Sequence, residues 1–263
     1  MNIVLIISLL LGLAITSLLA VNFVNRQQTR RRLITQRAAQ LRRLIAELEE
    51  MAATIEPLLE STQVPKVIND EIVHIIEQII MLEPNNEYMQ PALNAAKDLS
   101  EDLALEKRSC QLSRALSSDA QMARCKLQLN EAARLIRKIQ LQGRLDALEA
   151  EAFVRELTWA QLICGVITFV NQGHVSLKQG DAVKAYGFYK NAQQALIATA
   201  HPDDRRHRFI REVSDILAGR RKALSIDLMP EADNNPEPEP EPAPAAPAAP
   251  PKHDHATAPK KKW

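Results

Sequence analysis

No glycine lies between Gly12 and Gly143, so about half of the 263-residue chain must turn without the residue that adopts left-handed backbone freely. Sheets joined by tight hairpins depend on such positions, and helices do not. The chain therefore reads as all-α. Hydrophobic residues make up 46% and charged residues 25%, the composition of a globular protein rather than a disordered one. Of 15 prolines, most fall between Pro230 and Pro259, which separates a helical body from a tail of different character.

Ile3 to Val21 reads IVLIISLLLGLAITSLLAV, and no charge appears before Arg26. A stretch of this length spans a hydrocarbon core of about 30 Å. Its MNIVL start and the poor cleavage pair Leu18 and Ala20 argue for an uncleaved anchor over 1–25 rather than a signal peptide. Arg26, Arg30, Arg31, Arg32, Arg37, Arg42 and Arg43 follow with no acid before Glu47. By the positive-inside rule this side stays in the cytoplasm, giving a single-pass inner (plasma) membrane protein with its N-terminus out. Arg26, Arg30, Arg31 and Arg32 are also the candidate lipid-facing cluster, each cation worth about 1 kcal/mol near an anionic leaflet. Cys110, Cys125 and Cys164 are odd in number and lack metal-ligand spacing, which suits reduced thiols. The net charge of +1 and the absence of aromatics among the arginines make nucleic acid an unfavoured partner.

The segment 26–62 carries Ile34, Ala38, Leu41, Ile45, Leu48, Ala52 and Ile55 at alternating spacings of four and three, a heptad seam. Leu44 and Met51 widen the stripe, which favours a bundle helix over a parallel dimeric coiled coil, though both readings stay open. Pro57 should end this helix. In the body, 63–229, helices are expected from Lys66 to Leu82, from Pro91 to Leu116, from Ser118 to near Gly143, and from Arg144 to Gln172 with Gly173 closing it. Pro84-Asn85-Asn86 forms a turn between the first two, and Ser118 with Gln121 forms a capping box. The apolar run Trp159 to Val170 is too short to span a bilayer and reads as a buried core helix.

From Phe169 to Pro202 the pattern changes, with a helix ending in Lys178-Gln179-Gly180-Asp181 and a second carrying Ala185, Tyr189 and Ala192. Gly173, Ala185 and Ala192 stand where small residues let two helices approach, Tyr189 where an aromatic fills the gap, and Gly180-Asp181 at the turn. The segment 169–202 resembles a tetratricopeptide repeat, a helix hairpin of about 34 residues. Phe169 stands where that family has tryptophan, Ser176 where tyrosine is common, and Pro202 arrives late. The resemblance implies a helical array that binds a partner segment; the alternative is a bundle with the same spacing.

Tyr186 and Tyr189 are candidate partner-binding residues, although core packing is the simpler role for Tyr186, Phe188 and Tyr189 alike. His201-Pro202-Asp203-Asp204 starts another helix whose last turn is expected to hold Arg220, Arg221 and Lys222. Arg205, Arg206 and Arg208 on it form a basic face, a candidate contact for an acidic partner, lipid or nucleic acid if not merely solvated. The tail 230–263, disordered and rich in Pro, Glu and Ala, is a polyproline-like spacer tipped by Lys260, Lys261, Lys262 and Trp263.

Neither a Walker loop, HExxH, GxGxxG, GxSxG nor a paired CxxC occurs, so no catalytic, cofactor or metal residues are assigned. His253 and His255 are too few for a metal site, and the acids beside His201 and His207 are explained by capping. The expected function is a membrane-anchored cytoplasmic helical adaptor that binds another protein. The alternatives are a self-associating membrane-organising protein using the Ile34 to Ile55 seam, and a membrane-tethered nucleic-acid binder using the Arg205 to Lys222 helix.

Overall fold

The computed structural model describes residues 2–84, 86–105, 112–231 and 235–236. Among them the chain forms α1 (Asn2–Ile55), a 3-10 turn (Glu56–Leu58), α2 (Gln63–Leu82), α3 (Met89–Ala104), α4 (Asp119–Leu141), α5 (Ala147–Lys178), α6 (Ala182–Ala198) and α7 (Arg205–Leu217), with no strand. The all-α expectation holds.

α1 has 54 residues, about 80 Å at 1.5 Å per residue, and runs unbroken through the apolar and arginine-rich segments. Residues Val21 to Leu33 are exposed; burial begins where the heptad seam begins. Ala38, Leu41, Leu48 and Ile55 are then buried, packed on α2 and α4 of the same chain. The seam is thus a bundle face, not a surface left for a second copy. Pro57 ends the helix as expected, and Leu59 N–H closes the 3-10 turn on the Glu56 carbonyl at 3.3 Å.

The isoleucine run of α2 supplies the centre of a first core. Ile68, Ile72, Ile75, Ile76 and Ile79 are all buried, each worth about 1.5–3 kcal/mol on leaving water. α3 returns along α2 in an antiparallel hairpin, tied by Asn69 Nδ2 donating to the Ala96 carbonyl (2.6 Å) and Ser100 Oγ (2.7 Å). α4 is capped by Ser118, whose Oγ accepts from Gln121 N–H at 3.2 Å. The reciprocal leg is displaced by one residue, since Gln121 Oε1 accepts from Ser117 N–H and Oγ rather than from Ser118.

α5 is the spine of the body. Ala150, Leu157, Ala160 and Cys164 face the first core with α1, α2 and α4. Trp159, Ile163, Val166, Ile167 and Val170 face a second core with α6, α7 and the chain as far as Met229. It is the described helix long and apolar enough to cross a membrane, but 61% of its apolar window is inside the protein, as the expected core helix requires.

Three helix boundaries differ from the expectations. The helix placed from Pro91 to Leu116 stops at Ala104, and residues 112–117 form a non-helical strap. Its backbone bonds go elsewhere: Ser113 N–H donates to the Pro57 carbonyl (2.8 Å), and the Arg114 carbonyl accepts from Thr168 Oγ1 (3.2 Å). The helix expected to close at Gly173 runs on to Lys178 and closes at Gly180, which takes φ +82°. α7 ends at Leu217 with Gly219 at φ +70°, so Arg220, Arg221 and Lys222 lie beyond it rather than in its last turn. Asn85 of the expected turn, Cys110, His253, His255 and the Lys260 to Trp263 tip lie outside the described residues.

Candidate functional site

Two openings flank the second core, one beside the N-terminal half of α5 and one beside its C-terminal end. The first has a volume of about 470 Å³ and gathers Glu60, Arg114, Glu156, Trp159, His201 and Arg205 from segments far apart in sequence. Arg205 ties two of its walls together. One terminal nitrogen of Arg205 donates to both Glu60 oxygens (2.8 and 2.7 Å), Nε and the other nitrogen grip Asp203, and its guanidinium lies 5.0 Å from the Trp159 ring centroid. The His201 ring packs on the same indole, centroids 5.1 Å apart. Arg205 hydrogen bonding holds the Asp203 carboxyl below its ordinary range.

Beneath them Arg114 is only 4% exposed. Its Nε donates to Glu231 Oε1 at 2.8 Å, its terminal nitrogen to the Leu228 carbonyl at 3.1 Å, and its backbone N–H to Glu231 Oε1 again at 3.0 Å. A buried cation this well paired is a joint between the strap and the end of the body. Glu156 is the group left wanting. Burial, reinforced by the negative charge of Glu60 against a hydrogen bond from Ser61 N–H, pushes its carboxyl up to about 7, and its Oε1 is buried without a partner. Cys164 lies nearby, donating to the Arg114 carbonyl at 3.5 Å; burial first of all pushes its thiol up to about 12, so it stays protonated and unreactive.

The second opening, about 540 Å³, is a groove between the C-terminal part of α5, the start of α6 and the end of α7. Its floor is built on a close approach. A Cβ on Gly173 would lie 2.4 Å from Cε1 of Tyr189, so only glycine lets the tyrosine ring lie flat on α5. Tyr189 Oη is hydrogen-bonded to His174 Nδ1 at 2.8 Å, and both side chains are buried. Burial, aided by the charge of Lys178 and opposed by Asn235, pulls His174 down to about 4; burial pushes Tyr189 up to about 12. Both are neutral at pH 7. The pair is a rigid, uncharged floor. The rim differs: Leu177 and Tyr186 are 46% and 54% exposed, and Lys178, Arg221 and Lys222 line the edge with no carboxylate among the lining residues.

The expected site residues do not assemble into one surface. Tyr186 stands on the groove rim, whereas Tyr189 is its buried floor. Arg205 belongs to the ionic pocket nearer the start of α5. Arg206 Nε donates to the Leu196 carbonyl at 2.8 Å, satisfying the end of α6, and Arg208 pairs with Glu212 (3.0 Å) and Asp227. The basic face of α7 is thus spent on internal bonds. Arg26, Arg30, Arg31 and Arg32 are exposed along α1. The sequence reasoning passed over Arg114, Glu156, Trp159 and His174. Trp159 and His174 carried a signal, since both fall on the inward stripe of an apolar helix where a polar atom must find a partner. Among the described residues no three His, Cys, Asp or Glu side chains converge in a metal-holding arrangement. No protein-family model, curated protein or solved structure matches the chain.

Proposed function

We propose that the protein is a membrane-anchored helical adaptor that binds a segment of another protein in the groove beside Tyr186, without catalysis. The observation that carries this reading is the groove itself. It has a rigid floor, exposed Leu177 and Tyr186 at its rim, and cations at its edge. Exposed aromatic and apolar side chains beside a preformed cleft are the usual anchors of peptide recognition. The tetratricopeptide-like reading has support in the contact of Gly173 with Tyr189 and in the buried Ala185 and Ala192, the small-aromatic-small packing such hairpins use.

The anchor is the apolar segment 3–21 at the start of α1. The exposed stretch from Val21 to Leu33 would then stand as a helical stalk of about 20 Å, with Arg26, Arg30, Arg31 and Arg32 at the cytoplasmic lipid surface. Lipid and a protein are the partners of this reading. Self-association through the seam loses support because Leu41 and Leu48 are buried within one chain, and nucleic-acid binding because Arg205, Arg206 and Arg208 are paired internally.

A photo-crosslinking residue in place of Leu177, compared in cells with one in place of Leu127, tests the reading. Both positions are exposed, but Leu127 lies on α4, away from the groove. The expected result is a discrete adduct with one protein from position 177, absent from position 127 and lost when Tyr186→Ala is added. Adducts that are identical from both positions, or none from 177, overturn it.

A further inference from the structure

The first core carries an opening of its own, which shares no lining residue with the two beside α5. α1 and α3 both pack along α2 and hardly meet each other, which leaves a groove of about 560 Å³ between them. Its floor is Ile72 and Ile76 of α2, both buried, and its walls are mostly alanine, with Ala52 and Ala53 from α1 and Ala95 and Ala96 from α3. The walls are fixed in place. Asn69 Nδ2 and Thr62 Oγ1 donate to the Ala96 and Leu103 carbonyls at 2.6 and 2.8 Å and hold α3 against α2. Lining residues run from Arg42 on α1 to Glu56, and from Met89 to Leu103 on α3. Either stretch is about 21 Å long, or about four helical turns, at 1.5 Å per residue.

Shape selects a helix as the occupant. Alanine walls let another backbone come close, and apolar side chains at i, i+3, i+4 and i+7 of a guest helix pack into a groove of this kind. An extended segment would instead lay unpaired N–H and C=O groups on alanine methyls and buried isoleucines, with a penalty for every bond left unmade. A helix satisfies those groups within itself.

Charge selects which helix. Glu49 lines the groove from α1, and Asp98 follows Ala95 by three residues and adjoins Leu99 at the α3 edge; both acids are exposed. Among the described residues neither carboxylate has an ion-pair partner. The cation among the lining residues, Arg42, is held by Glu83, and Lys97 of α3 is bound to Glu77 of α2 at 3.0 Å. Two uncompensated negative charges therefore border an apolar floor, an arrangement that attracts lysine or arginine and repels the phosphate of an anionic lipid. Neither arginine cluster of this chain meets the description. Arg205, Arg206 and Arg208 of α7 are spent internally, and residues 25–32 of α1, where the exposed arginines begin, include no apolar side chain to form a seam.

We propose that this groove is a second docking surface, which takes a cationic amphipathic helix of about four turns from another protein. The aliphatic seam of that helix lies on Ile72 and Ile76, and its flanking lysines or arginines face Glu49 and Asp98. The surface belongs to the first core and does not depend on the groove beside Tyr186. With that groove occupied as well, one chain would hold two partners at once.

The test uses the full chain in detergent, with empty micelles as the blank, and a fluorescent synthetic helix of about 18 residues with a leucine-alanine seam and lysines on both flanks. A second peptide has glutamates in place of the lysines. Anisotropy should show saturable binding of the lysine peptide and binding at least about tenfold weaker for the glutamate peptide. The same loss is expected in Ala95→Arg, which blocks the groove from an exposed position, and in Glu49→Lys with Asp98→Lys, which breaks no internal ion pair; circular dichroism should show native helicity in both. Carbodiimide coupling, read by peptide mass spectrometry, should join the peptide lysines to Glu49 and Asp98 ahead of Glu149 and Glu151, exposed carboxylates on α5. Equal binding by the native chain and both variants, equal binding of the two peptides, or links spread evenly onto Glu149 and Glu151 overturns the proposal. So does the absence of saturable binding, and so does a dimer in detergent that Ala95→Arg splits, which would give the groove to a second copy.

Discussion

α5 walls two openings whose chemistry is opposite. Beside its N-terminal half, the ionic pocket draws Glu60, Arg114, Asp203, Arg205 and Glu231 from four separate stretches of chain and pairs these five charges with one another. At its C-terminal end, the tyrosine groove is neutral at its floor and carries an aromatic, a leucine and lysines at its rim. Opening size does not distinguish them, at about 470 and 540 Å³. What differs is whether the chain has already satisfied the groups that face inward. A cleft whose Arg114 and Arg205 are held by its own carboxylates is built as a joint, and a cleft with an inert floor and an exposed apolar rim is the one where the proposed partner would bind.

The sharpest way to break that distinction is Arg114→Ala. The substitution leaves the Glu231 carboxylate, of which only 10% is exposed, and the Leu228 carbonyl without their donor. Removing one partner of a buried ion pair costs about 3–5 kcal/mol. Urea unfolding of the full chain in detergent should show a loss of that size, the largest of any single change proposed here. A loss below about 1 kcal/mol, the worth of an exposed pair, would mean that the pocket is wet and not a joint.

On the groove side the corresponding change is Gly173→Val. The new Cβ meets the Tyr189 ring at 2.4 Å, and the ring cannot retreat without breaking its bond to His174. Overpacking of this kind costs about 1–3 kcal/mol. Tyr189→Leu added to Gly173→Val should recover part of the loss, and a double-mutant cycle measures how much. Strict additivity of the two changes would show that the ring and the glycine are not in contact.

These two residues also mark how far the sequence could be read. The seam from Ala38 to Ile55, the stop at Pro57, the Ser118 cap and the Gly180-Asp181 turn were legible because each is written within a few adjacent residues. Asp181, for one, accepts from Lys184 N–H three residues on. The end of α3 was not legible. No glycine or proline marks the stretch from Ala92 to Ser118, and the strap is held by bonds such as Arg114 to Glu231, 117 residues apart. Arg205 was grouped with Arg206 and Arg208 on local spacing, yet one of its two carboxylate partners, Glu60, is 145 residues away. Gly173 carries two readings, a terminator because glycine commonly ends helices and the small position of the hairpin; the helix runs past it, and its close contact is with Tyr189 of the next helix, as the second reading has it. Local chemistry located the helices, and distant ion pairs decided which cleft stayed open.

The two openings should also differ in the sign of their pH response. Glu156 ionises at about 7 in the folded chain against 4.5 for an ordinary glutamate. Between those values the unfolded state releases a proton that the folded state keeps, so the ionic pocket loses stability as pH rises through that window. His174 titrates at about 4 against 6.5, so there the unfolded state takes up a proton that the folded state refuses. The groove floor therefore loses stability as pH falls from 6.5 to about 4. Unfolding measured across this range should give Glu156→Gln a gain over the native chain near pH 8 that disappears below pH 5. Because that carboxyl is partly solvated, the gain should be only about 1 kcal/mol. His174→Gln should flatten the acid side and leave the alkaline side unchanged. If both substitutions moved the same arm, the two openings would be sharing one electrostatic environment, and the contrast between joint and binding surface would lose its basis.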